Sequence, residues 1–202
     1  MPVDPAGEGQ GKRGNMVKSK FVWDAEDAAG LIITPAEPDL PASATRSLRH
    51  EGERERRRAL MNEPHARPLV DLVSKLREEG RGYVPDFDPL DGGVDARILF
   101  LMEKPGPKTD PRNGGSGFIS RDNDDPTAAA VFTFMWNARV DRKDAVIWNV
   151  VPWWDETITI RAAEWTHGLR HLEMLMEALP RLQAVVLVGK KAGMGWRISR
   201  RG

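Results

Sequence analysis

Beyond residue 60, short runs of apolar residues alternate with longer segments in which apolar residues recur every three or four positions. The apolar runs span 96–102, 145–151 and 184–188, and proline or glycine follows each of them closely. Runs of this length that end at turn residues predict buried strands, and the periodic segments predict amphipathic helices. Helices are predicted from Pro68 to Gly80, from Asp125 to Ala138 and from about Thr159 to Pro180.

Buried strands that alternate with helices predict a parallel sheet that is covered on both faces. The fold class is therefore predicted to be α/β, a three-layer αβα sandwich. In such sheets ligands bind beyond the carboxyl ends of the strands. We expect the chemistry of this protein in the segments that follow Met102, Val151 and Val188.

The first part of the chain has a different composition. Residues 1–58 are rich in glycine, proline and charge, and we predict a largely disordered tail in which 21–23 or 31–33 is available as a docking strand. The stretch 46–58 interleaves arginine with glutamate, which favours a solvated helix face over a phosphate-contacting patch. The α/β domain is predicted to occupy 59–202.

Composition removes several functional classes. The 202 residues include no cysteine, which excludes disulfide scaffolds, thiolate nucleophiles and cysteine-held zinc or iron–sulfur sites. No apolar run approaches the length of a membrane span, and the charged start lacks the apolar core of a signal peptide. We therefore predict a cytoplasmic protein with no membrane partner. The 30 basic and 30 acidic side chains balance, which does not exclude a local basic face.

The first predicted strand is followed by Glu103-Lys104-Pro105-Gly106. A strand that breaks at Pro-Gly exposes backbone amides to a ligand, and Glu103 at the strand tip is a candidate base or water-orienting group. Further on, Phe118 lies in a glycine-flanked loop. Its ring is either available to a planar ligand or packed in the core.

The second predicted strand contains a polar residue, Asn149, in an otherwise apolar run. A buried amide is costly unless it is hydrogen-bonded, so Asn149 is either satisfied by the protein or directed at a ligand. Its donor and acceptor match the carbonyl and N–H edge of a pyrimidine. The third strand runs into Gly189-Lys190-Lys191-Ala192, which lacks the first glycine and the Ser or Thr of a nucleotide-triphosphate loop.

Taken in order, these segments resemble the motifs of the uracil-DNA glycosylase superfamily. The likeness is closest to the bacterial members whose first motif reads G-E-A-P-G. The matching segments are 103–106, 117–118, 149–153 and 186–192, within a stretch of resemblance from 96 to 193. The αβα sandwich of that family agrees with the fold predicted from periodicity.

The resemblance implies a DNA-repair hydrolase that flips uracil, or a related deaminated base, out of DNA and excises it by hydrolysing the N-glycosidic bond. It implies that Phe118 stacks on the base, that Asn149 pairs with uracil and rejects cytosine, and that Glu103 positions the attacking water. DNA is the implied partner, and no metal, cofactor or iron–sulfur cluster is expected in a monomeric protein. The implied substrate-binding residues are Lys104, Pro105, Gly106, Phe118 and Asn149, and the implied DNA-binding residues are Lys190 and Lys191.

Three features depart from the family, one of which is the absence of the four cysteines with which relatives of the G-E-A-P-G type commonly hold an iron–sulfur cluster. Lys104 replaces a residue that is usually small, and we expect its cation to crowd the attacking water or to lie near phosphate. The family's final His-Pro-Ser loop does not occur before Gly202, so we expect a truncated sheet that lacks its last strand and exposes the edge of the third. The alternative function is a catalytically inactive nucleic-acid-binding remnant of the same fold. A third is action on a free nucleoside or another planar heterocycle.

Two further patterns allow other chemistry. Trp153 and Trp154 are candidates for a platform on which single-stranded nucleic acid stacks. His167 and His171 lie one helical turn apart, which is the spacing of a zinc pair. With no third ligand evident, an exposed helix face is the preferred interpretation of these histidines.

Overall fold

Four α-helices and six strands make up the part of the chain that the structure describes. This computed structural model describes the backbone of residues 22–23 and the whole of residues 45–189. The predicted strands and helices are all present, with small shifts of their ends. In chain order the elements are β1 (Val22–Trp23), α1 (Glu51–Ala59), α2 (Arg67–Glu78), β2 (Asp86–Phe87), β3 (Ile98–Met102), β4 (Phe118–Ile119), α3 (Pro126–Asn137), β5 (Ala145–Asn149), α4 (Ala162–Glu177) and β6 (Ala184–Leu187).

The main sheet has the strand order β1-β6-β3-β5, and each neighbouring pair is parallel. β3 lies between β5 and β6, so the ends of the first and second predicted strands are adjacent. Met102 at the end of β3 is opposite Asn149 at the end of β5. The predicted α/β class is confirmed, and the segments that follow these two strands leave the sheet side by side.

Both faces of the central strand are covered. Leu99, Phe100 and Leu101 of β3 are each at most 1% exposed, although consecutive strand residues point to opposite faces. The Phe100 ring lies toward α3, where its centroid is 6.1 Å from that of Phe134. Burial on both faces requires a layer on each side, which is the arrangement of a three-layer sandwich.

The outer edge of β6 is paired with a segment from the start of the chain. Val22 lies opposite Val185, and Trp23 lies opposite Val186, in parallel register. The expectation that this edge is exposed is therefore wrong over these two pairs, because residues 22–23 form a strand that occupies it. The rest of the predicted tail, apart from 45–58, lies outside the described residues.

α4 approaches the end of β5 very closely at Gly168. A Cβ at this position would lie 2.1 Å from the carbonyl oxygen of Val150, so only glycine permits the contact. The glycine thereby brings α4 against the backbone that directly follows Asn149. The chain after this strand is held in place by helix packing.

A second, two-stranded sheet joins β2 to β4, with Phe87 opposite Ile119. The Phe87 ring stacks on Trp148 of β5, with 4.0 Å between the centroids and 9° between the planes. Trp148 is fully buried. Through this stack, the glycine-rich loop that contains β4 keeps a defined position relative to the main sheet.

A buried arginine attaches α1 to the domain and corrects part of the prediction for 46–58. Most of α1 is exposed, as expected for a solvated face, but Arg57 is 1% exposed. Its guanidinium lies 2.9 Å from Asp88, 2.8 Å from Asp122 and 2.7 Å from Glu53. A buried arginine needs such partners, and two of them lie far away in sequence. The predicted domain boundary at residue 58 therefore falls inside an attached helix.

Arg142 completes this ionic cluster from the other side. Its guanidinium lies 2.6 Å from both Asp88 and Asp122, and 2.7 Å from Asp91. Burial raises the pKa of Asp91, whereas Arg142 and Arg57 outweigh burial at Asp88 and lower its pKa. The cluster joins α1 to the loop before α3, which forms a wall of the site described next.

Candidate functional site

A cavity of about 360 Å³ lies at the carboxyl ends of β3 and β5. Met102 and Asn149, the last residues of these strands, contribute to its wall. The remaining lining comes from 104–109, from residues between 119 and 131, and from Ile147 and Ile158. The position is the one at which ligands bind in parallel sheets, and the volume is that of a small-molecule site.

Asn149 places a side-chain amide in this cavity. The residue is 2% exposed, yet no hydrogen-bond partner for its amide is found within residues 45–189. An amide without a partner in the protein is left to hydrogen-bond with whatever occupies the cavity. The structure thus leaves a donor and an acceptor available to a ligand at the position where the sequence predicts them.

Pro105 and Gly106 form the adjacent part of the wall, directly after β3. The chain turns here into a single 3₁₀ turn, Pro107–Thr109, and the Thr109 hydroxyl donates to the Gly106 carbonyl at 2.8 Å. A Cβ at Gly106 would meet no atom within 4 Å. The backbone at this glycine is therefore open to a ligand, as the Pro-Gly break predicts.

Lys104 lines the cavity but directs its ammonium group away into two ion pairs. Its side chain is 3% exposed, and Nζ lies 2.6 Å from Asp155 Oδ1 and 2.8 Å from Glu164 Oε1. Nζ also donates to the carbonyl of Thr159 at 3.3 Å. These contacts hold the 155–159 segment, including the exposed Ile158, over the mouth of the cavity.

The ion pairs of Lys104 with Asp155 and Glu164 form a clamp at the cavity mouth, and they change the pKa of Glu164. Burial would raise the pKa of the Glu164 carboxyl, but hydrogen bonds from Lys104 and from Arg161 outweigh it and lower the pKa to about 2. Glu164 is therefore charged at neutral pH and neutralises Lys104. The expectation that Lys104 crowds an attacking water or lies near phosphate does not match this geometry, because two carboxylates already hold the ammonium group.

Glu103 is not part of the cavity wall. The side chain is half-buried, and a Cβ at Gly189 would lie 2.9 Å from its Oε1. Its carboxylate is thus directed toward the segment after β6. Glu103, which the sequence predicts to position the attacking water, directly precedes the cavity-lining Lys104. It lies on the other side of the strand end.

Phe118 is buried, at 2% exposed, and it does not line the cavity. Its carbonyl accepts a hydrogen bond from Asn123 Nδ2 at 2.9 Å, which fixes the backbone of the loop. The next residue of β4, Ile119, faces the cavity instead. Adjacent strand residues point to opposite sides, so the ring packs in the core, the second of the two alternatives open for it.

Arg121 and Lys108 also line the cavity, and sequence reasoning did not single them out. Arg121 is flanked by serine and aspartate, so nothing in its local pattern distinguishes it from a surface loop arginine. Lys108 follows the Pro-Gly turn and is exposed. Lys108 and Arg121 line the same cavity because the loops that follow β3 and β4 lie together in the folded protein.

The sequence allowed a stacking platform of tryptophans and an exposed helix face with two histidines. Burial of these side chains corrects both interpretations. Trp153 and Trp154 are 3% and 6% exposed, so a stacking platform at these residues is wrong. His171 is buried, with Nε2 2.7 Å from a Glu79 carboxylate oxygen, rather than on an exposed helix face. His167 Nδ1 lies 3.1 Å from the Arg81 guanidinium.

Three expectations from the sequence concern the DNA-binding lysines, metal sites and membrane-spanning helices. Lys190 and Lys191, the predicted DNA-binding residues, lie outside the described part of the chain. Within residues 45–189, no group of three histidine, aspartate or glutamate side chains is arranged to hold a metal ion. No helix in the same part of the chain is long and apolar enough to cross a membrane.

Comparison with known proteins identifies no relative: no protein-family model matches this chain, and no curated protein matches it.

Proposed function

We propose that the cavity binds a uracil base extruded from DNA and that the protein hydrolyses the N-glycosidic bond of that nucleotide. The observation that carries this proposal is the amide of Asn149, which lies in the cavity wall and makes no side-chain hydrogen bond among residues 45–189. A uracil edge offers the complementary carbonyl and N–H groups. Cytosine presents the opposite order of donor and acceptor and is rejected.

The arrangement of the strand ends supports the same proposal. The resemblance to uracil-DNA glycosylases joins the segment after β3 to the end of β5 in one site. Lys104, Pro105, Gly106 and Asn149 line one cavity, and Met102 is opposite Asn149 in the sheet. Ile119, Val131 and Ile147 add apolar surface for the faces of a base.

In the proposed reaction the bond between C1′ and N1 of uracil breaks, and its electron pair leaves with the base. A water molecule adds to C1′ and releases a proton, which balances the charge of the uracil anion. A base held by its hydrogen-bonding edge keeps the bond to C1′ oriented toward the cavity mouth. Asn149 contributes by binding and orienting the base, which selects the substrate at the same time.

A catalytically inactive, uracil-binding protein is the second candidate, and the position of Glu103 favours it. Among the described residues that line the cavity, the only carboxylate is that of Asp125. Asp125 already accepts the Ala128 N–H at 2.9 Å as the cap of α3. A site of this kind binds an extruded base without a side chain dedicated to the attacking water.

Release of free uracil from single- and double-stranded oligonucleotides with one uracil tests the proposal. We expect release by the full chain, and we expect Asn149→Ala to reduce it by at least about a hundredfold while DNA affinity is nearly retained. Asn137→Ala, at an exposed position on α3, is the matched control and should behave as the unmodified chain.

The outcomes separate the two candidates. Uracil-dependent binding that requires Asn149, without release of the base, identifies the inactive binding protein. Equal binding of DNA with and without uracil, together with no release, overturns both. Excision that survives Asn149→Ala would remove the role assigned to the amide.

A further inference from the structure

Arg121 is a half-buried cation without an acidic partner. Its guanidinium makes no ion pair within residues 45–189, and its buried Nε has no hydrogen-bond partner there. Nη1 reaches only the sulfur of Met135, at 3.8 Å, and Cζ lies 5.0 Å from the ring centroid of Phe132. Burial, followed by the charge of Arg142, lowers the pKa of the guanidinium, although Asp91, Asp122 and Asp88 offset part of this effect.

The nearby acids are already occupied. Asp88 and Asp122 each bind both Arg57 and Arg142, and Asp91 binds Arg142. Two arginines thus take the carboxylates of the cluster, and the third, Arg121, which also lines the cavity, has no ion pair among residues 45–189. An unpaired, partly desolvated guanidinium is unfavourable unless something outside the protein compensates its charge.

The other charged side chains of the cavity wall leave Lys108 as a second cation without an ion pair. Lys108 lines the cavity and has no ion pair within the described part of the chain. Lys104 is neutralised by Asp155 and Glu164, and the Asp125 carboxylate is engaged at the start of α3. The guanidinium fork of Arg121 is therefore the buried charge that a ligand can satisfy, and its planar donors match two oxygens of a phosphate.

We propose that Arg121 forms an oxyanion subsite of this cavity, which binds the phosphate of a nucleotide whose base lies against Asn149. This inference deepens the proposed function and rests on it only for the identity of the base. The phosphate belongs either to a free mononucleotide or to the DNA backbone, and both present the same oxyanion to Arg121. Lys108, at the more exposed position, adds long-range attraction.

Calorimetric titration of the full chain with deoxyuridine, deoxyuridine 5′-monophosphate and inorganic phosphate tests the subsite. A charge-assisted contact predicts that the monophosphate binds about ten times more tightly than the nucleoside. Arg121→Met should reduce this ratio to about one. Arg170→Met removes an exposed arginine of α4 and should leave the ratio intact. A dinucleotide that carries only a phosphodiester distinguishes the DNA backbone from a terminal phosphate as the natural source.

Stability measurements distinguish a phosphate-binding role of Arg121 from a structural one. We expect Arg121→Met to melt at the same temperature as the unmodified chain or higher, because it removes an unpaired, partly buried charge. If this variant fails to fold, Arg121→Lys keeps the charge without the planar fork and should lose only part of the phosphate preference. A ratio that Arg121→Met does not change, or a melting temperature that it lowers, would overturn the subsite.

The same titrations separate this inference from the proposed function. Binding of inorganic phosphate that requires Arg121, without binding of deoxyuridine, supports the subsite and contradicts uracil recognition. Binding of deoxyuridine that phosphate does not strengthen contradicts the subsite and leaves uracil recognition in place.

Discussion

The ammonium group of Lys104 lies 2.8 Å from the carboxylate of Glu164, across 60 residues of chain. Both side chains are less than 10% exposed. The pair connects the segment after β3 to the first turn of α4, with Asp155 as a second acidic partner. It determines where the mouth of the cavity is, although neither charge is left available to a ligand.

Lys104→Met should lower the free energy of unfolding by about 2 kcal/mol, because two partly buried carboxylates lose their cation. Denaturant unfolding measures this change. Lys75→Met, at an exposed position of α2, is the matched control and should stay within about 0.5 kcal/mol of the unmodified chain. Equal effects of the two substitutions would mean that the clamp contributes nothing to stability.

Glu164 should make stability depend on pH in the acid range. Its pKa falls from an ordinary value of 4.5 to about 2 on folding, so the stabilisation is complete above about pH 4.5. It is lost as the pH decreases through 4.5 toward 2, because the unfolded chain takes up the proton first. Unfolding free energies between pH 2 and 6 should therefore rise less steeply with pH in Glu164→Gln. Glu173→Gln, on an exposed face of α4, should keep the slope of the unmodified chain.

Arg57→Met should destabilise the protein by about 3 kcal/mol, because Asp88 and Asp122 are buried and each loses a partner. Arg56→Met removes a neighbouring arginine that is largely exposed and contacts Glu53 at 3.3 Å. It should change the free energy of unfolding by less than about 0.5 kcal/mol. Similar values for the two variants would show that α1 is not attached through the ionic cluster.

Alanine substitutions at two helical glycines should have opposite effects. Gly168→Ala places a Cβ 2.1 Å from a backbone oxygen of the segment after β5, and should cost about 2–3 kcal/mol. Gly52→Ala in α1 meets no atom within 4 Å and should stabilise by about 0.5–1 kcal/mol through helix propensity. Thermal unfolding of both variants checks the pair. A stabilising Gly168→Ala would contradict the close packing of α4 on the strand end.

Local pattern was sufficient for β3, β5, β6 and α2 to α4 and for one site residue, whereas β2 and β4 were not predicted as strands. Apolar runs and helical periodicity predicted the strands and helices, since burial of an element depends on its own residues. Asn149 was recognisable because a polar residue inside an apolar strand has few explanations. The Pro-Gly break after β3 predicted an open backbone at Gly106 for a similarly local reason.

The direction of side chains in the loops was decided by tertiary structure alone. Glu103 and Lys104 are neighbours in sequence, but one faces Gly189 and the other is held by Asp155 and Glu164. Arg57 looks like any arginine of a charged helix until loops from distant parts of the chain supply its aspartates.

Sequence by itself therefore determined the α/β architecture of this protein and the amide at the end of β5. Folding decided that Ile119 rather than Phe118 lines the cavity, and that Arg121 has no ion pair within residues 45–189. The physical reason is that strand and helix formation follow from nearby residues, whereas the partner of a charge depends on which distant segments the fold brings within a few ångströms.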